Sequence, residues 1–184
     1  MRMKRQKHSL DTLRMTVYAS LMAALTAAGA LIALPIGPIP VVLQNLFVML
    51  TGLLLGPRWG LASVGIYLLA GAAGLPVFAG GSAGIGRFLG PTGGYLLGFL
   101  PAVLIIGLIS GNRQHHWIWD VLAVICGSLA VYALGVTWLK LITRMNWTTA
   151  VAVGMLPFLA GDALKAAAAI VVARALRSRV VHRR

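Results

Sequence analysis

The sequence predicts an all-α integral membrane protein. Six transmembrane helices form a single domain over residues 1–184, with both termini cytoplasmic. Three observations carry this expectation. The chain is 59% hydrophobic and 10% charged, with a mean hydropathy of +0.89, whereas a soluble domain carries about 25% charged residues. Glu is absent and the only acids are Asp11, Asp120 and Asp162, so no polar surface is available to cover a soluble core. The net charge of +13 is concentrated at the ends: Arg2, Lys4, Arg5, Lys7 and Arg14 precede the first apolar run, and Arg174, Arg177, Arg179, Arg183 and Arg184 follow the last. Such flanks fit cytoplasmic ends held near anionic headgroups. They do not fit nucleic-acid binding, since no soluble fold is left to present them.

A spanning helix needs about 20 apolar residues. The first span runs from about Thr12 to Leu34 and stops at Pro35-Ile-Gly-Pro-Ile-Pro40. Its apolar stretch is too long for the core of a signal peptide, about 7–15 residues. Val41 to Leu55 and Leu61 to Leu75 form two short spans around Gly56-Pro57-Arg58-Trp59-Gly60. The fourth starts near Gly93 and ends at Ser110-Gly111-Asn112, and the fifth covers about Ile118 to Leu139. Pro157 interrupts the last apolar stretch, and proline is best tolerated in a helix's first turn. The sixth span is therefore expected from about Pro157 to Arg174, preceded by an approach segment over Trp147 to Leu156.

An even span count puts both termini on one side. That side then holds Arg58, Arg113 and the ten terminal cations, twelve of the sixteen, and is the cytoplasm by the positive-inside rule. Trp59, Trp117 and Trp119 fall at inner boundaries, Trp138 and Trp147 at outer ones, as interfacial anchors do. The stretch from Gly74 to Gly94 becomes the Gly/Pro-rich outer loop between helices 3 and 4. It is too rich in Gly and Pro to be one helix, and non-helical backbone at membrane depth survives only where protein buries it or where it lines a cavity. This loop is the first place to expect a ligand.

Asp162 and Lys165 are the candidate pair for that ligand. Intramembrane charges are costly and face an interior or a wet cavity, and the i, i+3 spacing puts these two on one helix face near the outer mouth. A carboxylate there accepts N–H donors, and an ammonium meets a carboxylate. Arg87, flanked by glycines, and Tyr95, after Gly90-Pro-Thr-Gly-Gly94, are further candidates, as is Gln44 beside Asn45. The amides also suit helix-packing bonds. Ala19, Ala23 and Ala27, at spacing four, suit either close internal packing or a docking face for another membrane subunit.

Other chemistries find no support. The run Gly80-Gly-Ser-Ala-Gly-Ile-Gly86 lacks the Gly-Lys-Ser/Thr ending of a phosphate loop. Ser82 has no histidine in a span to act as its base. Cys126 is the single cysteine, and His8, His115, His116 and His182 lie in ends or loops, so no metal site, disulfide or catalytic residue is expected.

Several of these pieces together resemble the BioY family, the biotin-specific S components of energy-coupling factor (ECF) transporters. The resemblance runs from about Pro35 to Gly98 and returns at Pro157 to Lys165. It rests on Val41-Val-Leu-Gln-Asn-Leu46, Gly52-Leu-Leu-Leu-Gly-Pro57, Gly74-Leu-Pro-Val-Phe-Ala-Gly-Gly81, Gly90-Pro-Thr-Gly-Gly-Tyr95 and Gly161-Asp-x-x-Lys165. Val42 departs from the Thr expected before Leu-Gln in many relatives. The resemblance implies capture of biotin from outside, with a small-residue first helix, here Ala19 and Ala23, meeting a membrane coupling subunit. It also implies two ABC-type ATPases as the energy source, no resident cofactor, and a place in a prokaryotic cell membrane. The alternatives are an S component for another small vitamin, a membrane-embedded enzyme acting on lipid, or a structural scaffold. The enzyme needs more intramembrane nucleophiles or bases than Asp162 and Lys165, and the scaffold does not need a charged pair near an outer cavity.

Overall fold

A computed structural model describes residues 2–34, 41–111 and 116–180. Helix α1 is Arg2–Leu31, α2 Gln44–Ala72, α3 Gly86–Leu89, α4 Gly93–Gly111, α5 Trp117–Thr143, α6 Trp147–Gly154 and α7 Leu156–Val180. The all-α expectation holds apart from one short ladder, in which β1 (Ala33–Leu34) pairs antiparallel with β2 (Val41–Val42). The proline-rich stop at residues 35–40, Arg113 and residues 181–184 lie outside the described residues.

Five helical stretches are long and apolar enough to cross a bilayer: Leu10–Leu31, Gln44–Ala72, Gly93–Gly111, Trp117–Thr143 and Trp147–Arg177. Helix α2 is not one rod. Gly56 has φ 73 and ψ −174, a conformation open to glycine, and Pro57 begins the next helical segment. A Cβ placed on Gly60 would lie 3.8 Å from the Gly52 Cα, whereas residues eight apart along a continuous helix are about 12 Å apart. The chain therefore reverses at Gly56-Pro57. α2 is a hairpin of two legs, 44–55 and 57–72, which gives six apolar legs in all. These legs, about 18 and 24 Å long, are shorter than the roughly 30 Å of bilayer hydrocarbon.

The expected break near Pro157 is present. Met155 departs from helical geometry, with φ −134 and ψ −55, and Pro157 sits in the first turn of α7. The approach segment is the short helix α6, whose N-cap Asn146 accepts the Thr149 N–H at 2.7 Å. Helix α5 ends on Arg144 in the left-handed region.

Helix α4 packs against both α2 and α5, α1 packs along α2, and α7 lies on α2. This packing corrects the docking expectation for the first helix. Ala19 and Ala23 are 1% and 5% exposed and belong to the chain's own core, with Leu50 and Leu53 in one cluster and Val48 and Tyr67 in another. Ala27 is partly buried against the second cluster. A partner helix has no access to Ala19 or Ala23, because small side chains there let α1 approach α2 closely. The small residues that α1 turns outward are Ser20, Ala24 and Ala28.

Candidate ligand site

One end of the bundle carries a cavity of about 670 Å³, counting its mouth. All five ligand-binding candidates named from the sequence line it: Gln44 from the start of α2, Arg87 from α3, Tyr95 from α4, and Asp162 and Lys165 from α7. Phe78, Phe99 and Phe158 supply much of the apolar wall. Phe78 is held edge-on by Tyr67 and Phe88, at centroid distances of 5.6 and 5.5 Å.

Asp162 is the hub. Oδ1 accepts the Lys165 ammonium at 2.8 Å. Oδ2 accepts the Tyr132 hydroxyl at 2.5 Å and the Asn45 amide at 3.2 Å. Both charged groups are buried, at 6% and 8% exposure. The pair is thus partnered as burial demands. Its donor capacity is not exhausted: an ammonium has three N–H bonds, and one of those of Lys165 goes to Asp162. Gln44 is 2% exposed, and its amide nitrogen has no partner among the described residues. A buried, unpartnered donor on a cavity wall is costly unless something fills the cavity and accepts from it.

Arg87 is exposed at the mouth. Tyr95 commits its hydroxyl within the chain. Its O–H donates to the Gly154 carbonyl at 2.7 Å, and its ring lies against Gly135, where any Cβ would overlap it. It offers the cavity a ring face while pinning α6 to α4 and α5.

Three contributors leave little trace in the sequence. Tyr132 sits in an apolar run that gives no sign of which way its hydroxyl points. Asn45 is an amide of the kind that bonds neighbouring helices, and its bond to Asp162 agrees with that while placing it on the cavity wall. The third is a polar cluster at the opposite end of the bundle. Asp120, fully buried, accepts Ser110 Oγ at 2.6 Å, Arg177 at 2.9 and 3.1 Å, and Arg174 at 3.3 Å. Arg177 also donates to the Leu53 carbonyl at 3.4 Å. Arg177 is therefore not a headgroup-facing cation, contrary to what its place among the terminal arginines implies. The one signal for this cluster is Asp120 itself, an acid inside the first turn of an expected span.

The sequence profile of the BioY family matches residues 3–182. The chain belongs to the BioY family. Among BioY relatives, the probable biotin transporter BioY of Pyrococcus horikoshii is 44% identical over 158 residues, covering 86% of this chain and 93% of the relative. The biotin transporter BioY of Thermotoga maritima is 37% identical over 171 residues, covering 93% and 100%. A crystal structure titled as the S-component for biotin from an ECF-type ABC transporter superposes with a TM-score of 0.85 at 32% identity, covering 91% of this chain and 92% of that one. The BioY fold is that of a transporter S component and not of an enzyme.

Proposed function

We propose that this chain is a membrane S component that captures biotin in the cavity of α2, α4, α5 and α7 and passes it inward. The observation that carries the reading is the donor-rich wall around one buried carboxylate: Lys165 and Gln44 hold N–H donors with no described partner, and Asp162 has acceptor capacity left beside them. Biotin complements this wall. Its ureido N–H groups suit Asp162, its ureido oxygen suits an amide donor such as Gln44, its apolar body suits the phenylalanine walls, and Lys165 and Arg87 are the cations available to its carboxylate. The names of the BioY relatives support the same ligand.

In this reading both termini are cytoplasmic and the cavity opens outward, because twelve of sixteen cations fall on the terminal side. Energy comes from outside the chain, from a membrane coupling subunit and two ABC-type ATPases, as befits a protein without a phosphate loop. The host membrane is the plasma membrane of a prokaryote. A thermal-unfolding assay of the purified protein tests the ligand. A ligand that binds only the folded state raises the midpoint, so biotin is expected to raise it while thiamine and riboflavin leave it unchanged. A shift with another vitamin and none with biotin keeps the class and overturns the ligand. No shift with any of them favours the enzyme or scaffold reading.

A further inference from the structure

The two oxygens of Asp162 are used unequally. Oδ2 accepts the Tyr132 hydroxyl at 2.5 Å and the Asn45 amide at 3.2 Å. Oδ1 accepts the Lys165 ammonium at 2.8 Å and nothing else among the described residues. A carboxylate oxygen has two acceptor sites. Oδ2 is therefore filled, and Oδ1 keeps one site open. The groups that fill Oδ2 come from two other helices, Asn45 from the start of α2 and Tyr132 from α5, whereas Lys165 shares α7 with the acid. Tyr132 is 7% exposed and packs with Leu139 and Phe158, so the chain's own packing sets the position of its ring.

This division changes what the carboxylate can receive. An aspartate with both oxygens open is a fork for an amidinium or guanidinium, which brings two parallel N–H bonds, one to each oxygen. Closing Oδ2 removes that mode. The cavity wall then presents one acceptor, Oδ1, beside one donor group, Lys165 Nζ, with 2.8 Å between them. The complement of an acceptor beside a donor is an N–H beside a carbonyl, the edge that a lactam or a cyclic urea carries. The Gln44 amide nitrogen, buried and without a partner among the described residues, is a second donor on the same wall. A carbonyl oxygen has two lone pairs, enough for both donors. The charges agree with this reading. The lining holds Lys165 and Arg87 against Asp162 alone, so the wall as a whole repels a cationic head.

We propose that Tyr132 and Asn45 determine the specificity of the site. By filling Oδ2 of Asp162 they make it a receptor for the N–H/C=O edge of a neutral cyclic amide or urea, and they exclude amidinium and guanidinium heads. The inference rests on the biotin reading of the cavity and names the part of the ligand that is recognised there. Neither residue needs to touch the ligand. Both are positioning residues that act through Asp162.

The test compares biotin with 2-iminobiotin, in which the ureido oxygen is replaced by a protonated imine nitrogen. The replacement turns the N–H/C=O edge into two donors side by side. Each ligand competes against labelled biotin on the purified full chain at neutral pH. The wild type is expected to prefer biotin by at least about 100-fold, because the bonds from Lys165 and Gln44 to the carbonyl are both lost. Tyr132→Phe reopens one site on Oδ2 and is expected to narrow that preference about tenfold, the effect of one hydrogen bond to a charged group. Asn45→Ala reopens the other site and is expected to narrow it similarly, so the ratio can be read even if Tyr132→Phe folds poorly. A purely structural role weakens both ligands alike. An unchanged ratio in the folded variants therefore overturns the proposal, as does a wild type that binds the two ligands equally well. A wild type that binds neither overturns the biotin reading and this inference with it, whereas biotin binding with an unchanged ratio overturns this inference alone.

Discussion

Gly52 and Gly60 face one another across the two legs of α2, close enough that a Cβ on Gly60 would stand 3.8 Å from the Gly52 Cα. The same Cβ would meet Val103 Cγ2 on α4 at 2.7 Å, and one on Gly52 would meet Ile106 Cγ2 at 2.7 Å. Three helical segments share this point. The parity of the whole chain depends on it, since a straight α2 would leave an odd number of crossings. Gly60→Leu is expected to overpack the contact and cost about 1–3 kcal/mol, read as a lower thermal midpoint. An unchanged midpoint would mean that the legs do not touch.

The first helix gives a paired test. Ala23 is buried against α2 and Ala24 on the neighbouring row is exposed. Ala23→Leu is expected to destabilise the isolated protein by a similar amount. Ala24→Leu, at an exposed position, is expected to leave the midpoint within about 0.5 kcal/mol of wild type. The opposite ranking would return the Ala19/Ala23 row to the surface.

Much of this architecture was legible in the sequence. The spans are apolar runs punctuated by Gly and Pro. Asp162 and Lys165 stand out because charge inside such a run is expensive. What escaped depends on packing between distant segments. Rows 19/23/27 and 20/24/28 both contain small residues at helical spacing, and periodicity alone does not say which turns inward. Arg177 looks like its terminal neighbours, and only its pairing with Asp120, 57 residues away, takes it into the bundle. The Tyr132 hydroxyl and the use of Tyr95 by a backbone carbonyl are likewise set by tertiary contacts.

The reversal at Gly56 bears on the parity of the crossings, and the cation count proposes the side. A reporter fused after Arg184 is expected to read cytoplasmic, and Ala83→Cys in a Cys126→Ala background, exposed in the loop between α2 and α4, is expected to react with an impermeant thiol reagent from outside. An external reporter signal would place the ligand cavity on the wrong face of the membrane.

Tyr95 is expected to act through position. Tyr95→Phe keeps the ring and removes the bond to Gly154, a loss of about 0.5–1.5 kcal/mol, or up to roughly tenfold in ligand affinity if α7 shifts with it. Gly154→Ala would put a Cβ 2.5 Å from the Tyr95 hydroxyl. Its cost is therefore expected to fall in the Tyr95→Phe background, a non-additivity that a double-mutant cycle measures. Strict additivity would show that the hydroxyl does not fix the α6–α7 junction.

The central claim is that the Asp162–Lys165 pair serves a ligand and is not only a packing device. Removing one member leaves the other buried and unpaired, which destabilises whatever the role, while removing both relieves that cost. The decisive measurement is a calorimetric titration of biotin into wild type and into a folded Asp162→Asn/Lys165→Met double variant. The account predicts saturable one-site binding by the wild type. In the double variant binding weakens at least about tenfold, the effect of losing one hydrogen bond to a charged group. Wild-type affinity in a folded double variant would contradict it.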